Sequence, residues 1–114
     1  MVVVIFEVWP APGRKPEYLD IAARLKPELE GVDGFISVER FQSLTDEAKI
    51  LSISFWRDEQ AVQAWRNAED HRRAQAQGRR ATFSDYRIRV ASVVRDYGMR
   101  SREEVPQDSR AVHE

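Results

Sequence analysis

The first strand of this chain is apolar on both of its sides, and that limits the folds open to it. In Val2-Val-Val-Ile-Phe-Glu-Val-Trp9, Val2, Val4, Phe6 and Val8 alternate with Val3, Ile5, Glu7 and Trp9. Successive side chains of a strand point to opposite faces, so only one residue on either side, Glu7, is charged. A later stretch repeats the pattern, with Leu51, Ile53 and Phe55 on one side and Ile50 and Trp56 on the other. A sheet built from such strands must be covered twice.

The rest of the chain supplies helices for one cover only. Pro10-Ala-Pro12-Gly13 ends the first strand, because proline cannot donate to a ladder and Pro-Gly marks a turn. From Pro16 onward Tyr18, Ile21, Ala22, Leu25 and Leu29 recur at three- and four-residue spacings, the period of a helix. Pro27 predicts a kink or an early end there. Gly31 to Gly34 reads as a loop. Residues 35–41 alternate as a strand, with Ile36, Val38 and Arg40 sharing a side. Residues 43–47 make the hairpin connection, and residues 49–56 form the third strand. Asp58 is placed to cap a second helix carrying Ala61, Val62 and Trp65. Helical composition continues irregularly over residues 68–80, which predicts a second segment after a break. Residues 82–95 read as the last strand.

The order β-α-β-β-α-β predicts a ferredoxin-like α+β domain over residues 1–98, a four-stranded antiparallel sheet with both helices on one face. Right-handed crossovers put them there and leave the other apolar face uncovered. A homodimer stacking sheet on sheet is the expected cover; a face left bare, or covered by the tail, is the alternative. Residues 99–114 are polar and lack periodicity, a tail that is ordered only if something docks it.

Composition narrows the chemistry. With 42% hydrophobic and 32% charged residues the chain reads as a soluble globular protein, not a disordered or membrane one. The absence of cysteine excludes thiolate catalysis and disulfides, and fits a cytoplasmic protein. The N-terminus has neither a basic leader nor a long apolar run, so the chain reads as a mature intracellular protein with no membrane partner. The arginines at 72, 73, 79 and 80 are interleaved with Gln and Ala, surrounded by Glu69, Asp70 and Asp85, and lack an aromatic platform, so nucleic acid is not expected.

Several stretches, Ile50-Leu-Ser-Ile-Ser-Phe-Trp56, Asp58-Glu-Gln-Ala-Val-Gln-Ala-Trp65, His71-Arg-Arg-Ala-Gln75, Phe83-Ser-Asp-Tyr86 and Leu29-Glu-Gly-Val-Asp-Gly-Phe35, together resemble the antibiotic biosynthesis monooxygenase family. The resemblance implies a dimeric α+β barrel. It also implies oxygenation of a small aromatic or quinol-type compound without metal or flavin, or, in another branch, oxidative degradation of heme as substrate. That branch uses a tryptophan on the second helix, matched by Trp65, with an asparagine on the first strand and a histidine further along the helical region. The first-strand position falls on Glu7, Gln75 lies ten residues after Trp65, and His71 lies six after it.

Cofactor-free oxygenation needs an apolar pocket, a base that titrates near neutrality and a donor for the developing oxyanion. His71 is the candidate base, since imidazole titrates near ~6.5. The other histidine, His113, lies in the tail. Trp65, Phe6 and Phe55 are expected to wall the pocket, with Tyr86 or Arg87 as its polar anchor. Each has a plainer reading: His71 as an exposed or capping residue, Trp65 as core, Arg87 in a charge row on an edge or dimer face. Glu7, a carboxylate among apolar neighbours, should be paired, with an arginine of the last strand or across a dimer interface, or else carry a raised pKa and a role in binding the substrate. A non-enzymatic module that holds a small ligand, or serves a stress response, is the reading from outside enzymology.

Overall fold

The computed structural model describes residues 1–75 and 82–109, the side chains of residues 70–75 excepted. Its elements are β1 (Val2–Pro10), α1 (Lys15–Glu30), β2 (Phe35–Gln42), β3 (Ile50–Trp56), α2 (Glu59–Gln75) and β4 (Phe83–Ser92). The four strands form one antiparallel sheet in the order β2-β3-β1-β4, the split β-α-β arrangement of a ferredoxin-like fold. β1 therefore occupies an inner position, paired along its length with β3 and with β4.

Register assigns the two faces. Val2, Val4, Phe6 and Val8 lie opposite Trp56, Ser54, Ser52 and Ile50 on β3. All four β3 residues are buried, so this is the face that the helices cover. Two clusters fill it. Val8, Ile50 and Tyr18 of α1 form one, with Phe6 and Phe83 packed against them. Leu29 of α1, Trp56 and Ala61 of α2 form the other, joined by Val4, Val38, Val62 and Trp65. Burying side chains of this size contributes about 1.5–3 kcal/mol each. The Trp56 indole N–H donates to the Ser54 hydroxyl at 2.8 Å, which satisfies both polar groups beneath the helices.

The helix boundaries differ from expectation in two respects. α1 runs through Pro27 to Glu30 without an early end. Pro27 and Ala23, whose carbonyl loses its partner to the proline ring, are both exposed, so solvent can take the freed carbonyl. α2 is continuous from Glu59 to Gln75, with no break at Ala68. Asp58 caps it as expected, its Oδ1 accepting the Ala61 N–H at 3.0 Å. No helix among the described residues is long and apolar enough to cross a membrane.

β2 contains an irregularity that periodicity alone does not reveal. Its pairing with β3 shifts between Phe35 and Ser37. Phe35 thereby packs against Trp56 on the helix side, edge to face at 5.2 Å, and Ile36 lines the opposite face with Phe55. Ile36 and Val38 do not share a side, because an extra residue in one strand reverses the alternation.

The segment after β4 folds back on itself. The Gly98 N–H donates to the Ser101 carbonyl, Arg102 Nη1 donates to the Gly98 carbonyl, and the Asp96 N–H donates to Glu104. Val105 is buried, and residues 107–109 form a helical turn.

The loop into β2 is held by close approach. Gly34 has φ of 90° and accepts the Arg57 N–H at 2.7 Å. A Cβ at Gly34 would lie 2.7 Å from that of Ala61, whereas one at Gly13 (φ 76°) would meet nothing within 4 Å. Gly13→Ala should therefore cost about 1 kcal/mol from backbone strain alone, and Gly34→Ala about 3 kcal/mol, the overpacking added. Urea denaturation of the two variants checks the difference.

Candidate functional site

On the helix side the register lays the floor in rows across the sheet. One row reads Val38, Ser54, Val4 and Val90; the next Arg40, Ser52, Phe6 and Ile88; the third Gln42, Ile50, Val8 and Tyr86. Phe6, Phe83 and Tyr86 meet edge to face at 5.8 to 6.1 Å, and Tyr18 closes on Phe83 at 5.7 Å. Such T-shaped pairs match the positive ring edge to the negative ring face.

The helices do not cover this floor evenly. Val8 and Ile50 are sealed, but Tyr86, Ile88 and Val90 on β4 are each more than two-fifths exposed. β4 is an edge strand, and α2 passes beside Val90 of its helix-facing row, leaving a cleft of about 150 Å³ lined by Glu59, Val62, Gln63, Arg66 and Val90. The open Tyr86, Ile88 and Val90 row offers apolar contact, and Glu59, Gln63 and Arg66 border it with polar groups, a mixture suited to a small molecule with an apolar body and a polar end.

The expected site residues divide between the faces. Trp65 packs with Val4, Trp56 and Ala61 on the helix side, and Phe6 and Tyr86 lie on that side too. Phe55 does not share a pocket with Phe6: it pairs with Val3 on the helix-free face and lines a depression of about 440 Å³ with Met1, Ile36 and Val93. Arg87 stands opposite Glu7 on that same face, so neighbouring Tyr86 and Arg87 point away from each other and cannot serve one anchor point. His71 and Gln75 lie on α2, but their side chains, and His113 entirely, lie outside the described residues.

Glu7 also faces away from the helices. Its carboxylate pairs with Arg89 at 3.3 Å and with Lys49 at 3.6 Å, so the predicted arginine of the last strand is found, within the same chain. Lys49 in turn lies over the Trp9 ring, 5.2 Å from its centre, and the Trp9 indole donates to Asp46 at 3.0 Å. A chain of charge contacts thus crosses the helix-free face from Asp46 to Arg89. Glu7 is a structural ion on this face, not a wall of the helix-side pocket.

Two residues of the floor escaped the sequence reading. Ser52 is buried on the central strand, and Arg40 reaches the helix side from β2 with a buried Nε that makes no hydrogen bond. The alternation of β2 placed Arg40 beside Val38, but only the cross-strand register brings it opposite Ser52. Among the described residues no three His, Asp or Glu side chains gather as a metal ion would require.

The ferredoxin-like sheet thus carries an aromatic floor and Trp65 of α2 on one side. Residues 1–77 match the family model for antibiotic biosynthesis monooxygenase, and the chain belongs to that family. It is 46% identical over 93 residues to a jasmonate monooxygenase of Pyricularia oryzae; the match covers 82% of this chain but only 43% of that relative's own length. An uncharacterised Bacillus subtilis protein, YqjZ, is 28% identical over 78 residues, 68% of this chain and 67% of that one. Among solved structures, the heme-degrader MhuD of Mycobacterium tuberculosis, with two hemes bound, superposes with a TM-score of 0.67 at 25% identity, covering 86% of this chain and all of that one.

Asp58, which anchors α2, is held below the ordinary carboxylate value of 3.8 by the Ala61 N–H and then by Arg57. Asp46 is lowered by the Trp9 indole and then by the Ala48 N–H. A depressed folded-state pKa stabilises above the unfolded value and is lost as pH falls through the folded one. Melting temperature should therefore drop on acidification below 3.8. Asp46→Asn and Asp58→Asn should flatten that part of the profile, which thermal melts across the acid range would read.

Proposed function

We propose that this chain is a monooxygenase for a small, largely apolar molecule that carries an oxygen function, bound on the helix side of the sheet. One observation supports this above the others: Phe6, Phe83 and Tyr86 form an aromatic floor beneath Tyr18 of α1 that reaches solvent at Tyr86, on the same side of the sheet as Trp65 of α2. Family membership supplies the reaction class. The candidate substrates are an aromatic quinol and, from the relative named for it, jasmonate, a cyclic keto acid.

In this reading His71 takes a proton from the substrate, and the anion passes an electron to O₂ directly, without metal or flavin. The substrate supplies the electrons; one oxygen atom enters it and the other leaves as water. Trp65 walls the site, and its indole N–H or the Tyr86 hydroxyl holds the developing oxyanion. Phe55, Arg87 and Glu7 belong instead to the opposite face, which we assign to the contact of a homodimer. Val3, Ile5, Leu51, Ile53 and Phe55 make an apolar centre there, bordered by Glu39, Arg87 and Arg89. A self-complementary patch of this composition suits a two-fold contact.

Oxygen uptake with a naphthohydroquinone and with jasmonate tests the chemistry. His71→Ala should slow the responsive substrate by about 10²-fold, and Trp65→Phe less; unchanged rates in both variants, or no uptake with either compound, would sink the reading. A Soret shift on adding hemin, followed by loss of the heme spectrum under reductant, would replace it with heme degradation. Light scattering should give twice the chain mass of 13.2 kDa, and Ile53→Arg should return a monomer.

A further inference from the structure

We propose that Arg40, together with the Ser52 hydroxyl, receives a carboxylate on the bound molecule, so that the substrate is a small apolar carboxylic acid. The inference rests on the proposed binding side and adds to it the polar end of the ligand. Arg40 stands on β2 directly opposite Ser52 of β3, and the same row continues through Phe6 of β1 to Ile88 of β4. Directly opposite residues of antiparallel strands hold their Cβ atoms about 4.5–5.5 Å apart, so guanidinium and hydroxyl can share one ligand oxygen pair.

The state of Arg40 is what calls for an anion. Its Nε is buried and makes no hydrogen bond, and among the described residues Arg40 forms no ion pair. Removing part of a guanidinium from water without a partner is costly, and proteins ordinarily avoid it. The planar fork of arginine matches a carboxylate with two parallel hydrogen bonds, which lysine cannot reproduce.

The surroundings fit a molecule with one charged end. Next to Arg40 and Ser52 the row turns apolar at Phe6 and reaches solvent at Ile88, more than half exposed. On the same side of the sheet α1 seats Tyr18 on Val8 and Ile50, and Leu29 on Trp56, with Ala22 buried between them along the helix.

Quenching of intrinsic tryptophan fluorescence by jasmonate and by its methyl ester tests the assignment. The wild type should bind the acid at least about tenfold more tightly than the ester, the scale of a charge-assisted hydrogen-bond pair. Arg40→Met should erase that preference and leave ester binding unchanged. Arg40→Lys, which keeps the charge without the fork, should retain only part of it and serves if the methionine variant does not fold. Equal binding of acid and ester by the wild type, binding of neither, or an acid preference that survives in Arg40→Met overturns the proposal. Acid preference without oxygen uptake would instead refute the monooxygenase reading and leave the carboxylate subsite standing.

Discussion

The pairing of β1 on both of its edges is the constraint from which the rest of the molecule follows. Because β3 and β4 each hydrogen-bond to it along its length, β1 cannot rotate, and its alternation sets which side chains meet the helices. Val8, fully buried, anchors one end of the helix-side core, and Val4 joins the other beneath Trp56 and Trp65. The odd-numbered residues are thereby committed to the opposite face, charge included. A one-residue slip would bring Glu7 under the helices and turn Val8 out to the other side, so the register is strongly specified.

That commitment separates two tasks that the sequence presents mixed together. The helix side combines sealed packing near the inner strands with an open aromatic margin at β4, where Tyr86, Ile88 and Val90 remain accessible. The other side gathers an apolar centre crossed by the Asp46, Trp9, Lys49, Glu7 and Arg89 contacts. Opposite charges placed within 3.3 to 3.6 Å of Glu7 make its presence on an apolar face tolerable.

Much of the fold was legible because it depends on local period. The two-sided first strand, the element order, the cap at Asp58 and the inward side of Trp65 all follow from spacing and residue type. What periodicity could not supply was register. The shift at Phe35 to Ser37 reverses the assignment of Ile36, and only pairing with β3 reveals it. Phe6 and Phe55 looked alike as pocket walls because both are strand phenylalanines; their opposite faces depend on how β1 meets β3. Arg40 reads as an ordinary charged residue on an edge strand until its neighbours are known. α2 was expected to break because its later residues are polar, yet an exposed helix needs apolar residues only on the side that packs.

β4 has one property whose consequence reaches beyond binding. Its attachment to the sheet runs through backbone hydrogen bonds to β1, while Tyr86, Ile88 and Val90 contribute little to the sealed core. Those positions can therefore vary in size and polarity at small cost to stability. Related chains could diverge in what they accept by exchanging a few edge-strand side chains, with the central strands left as they are. The least buried strand is where this scaffold has the greatest evolutionary latitude.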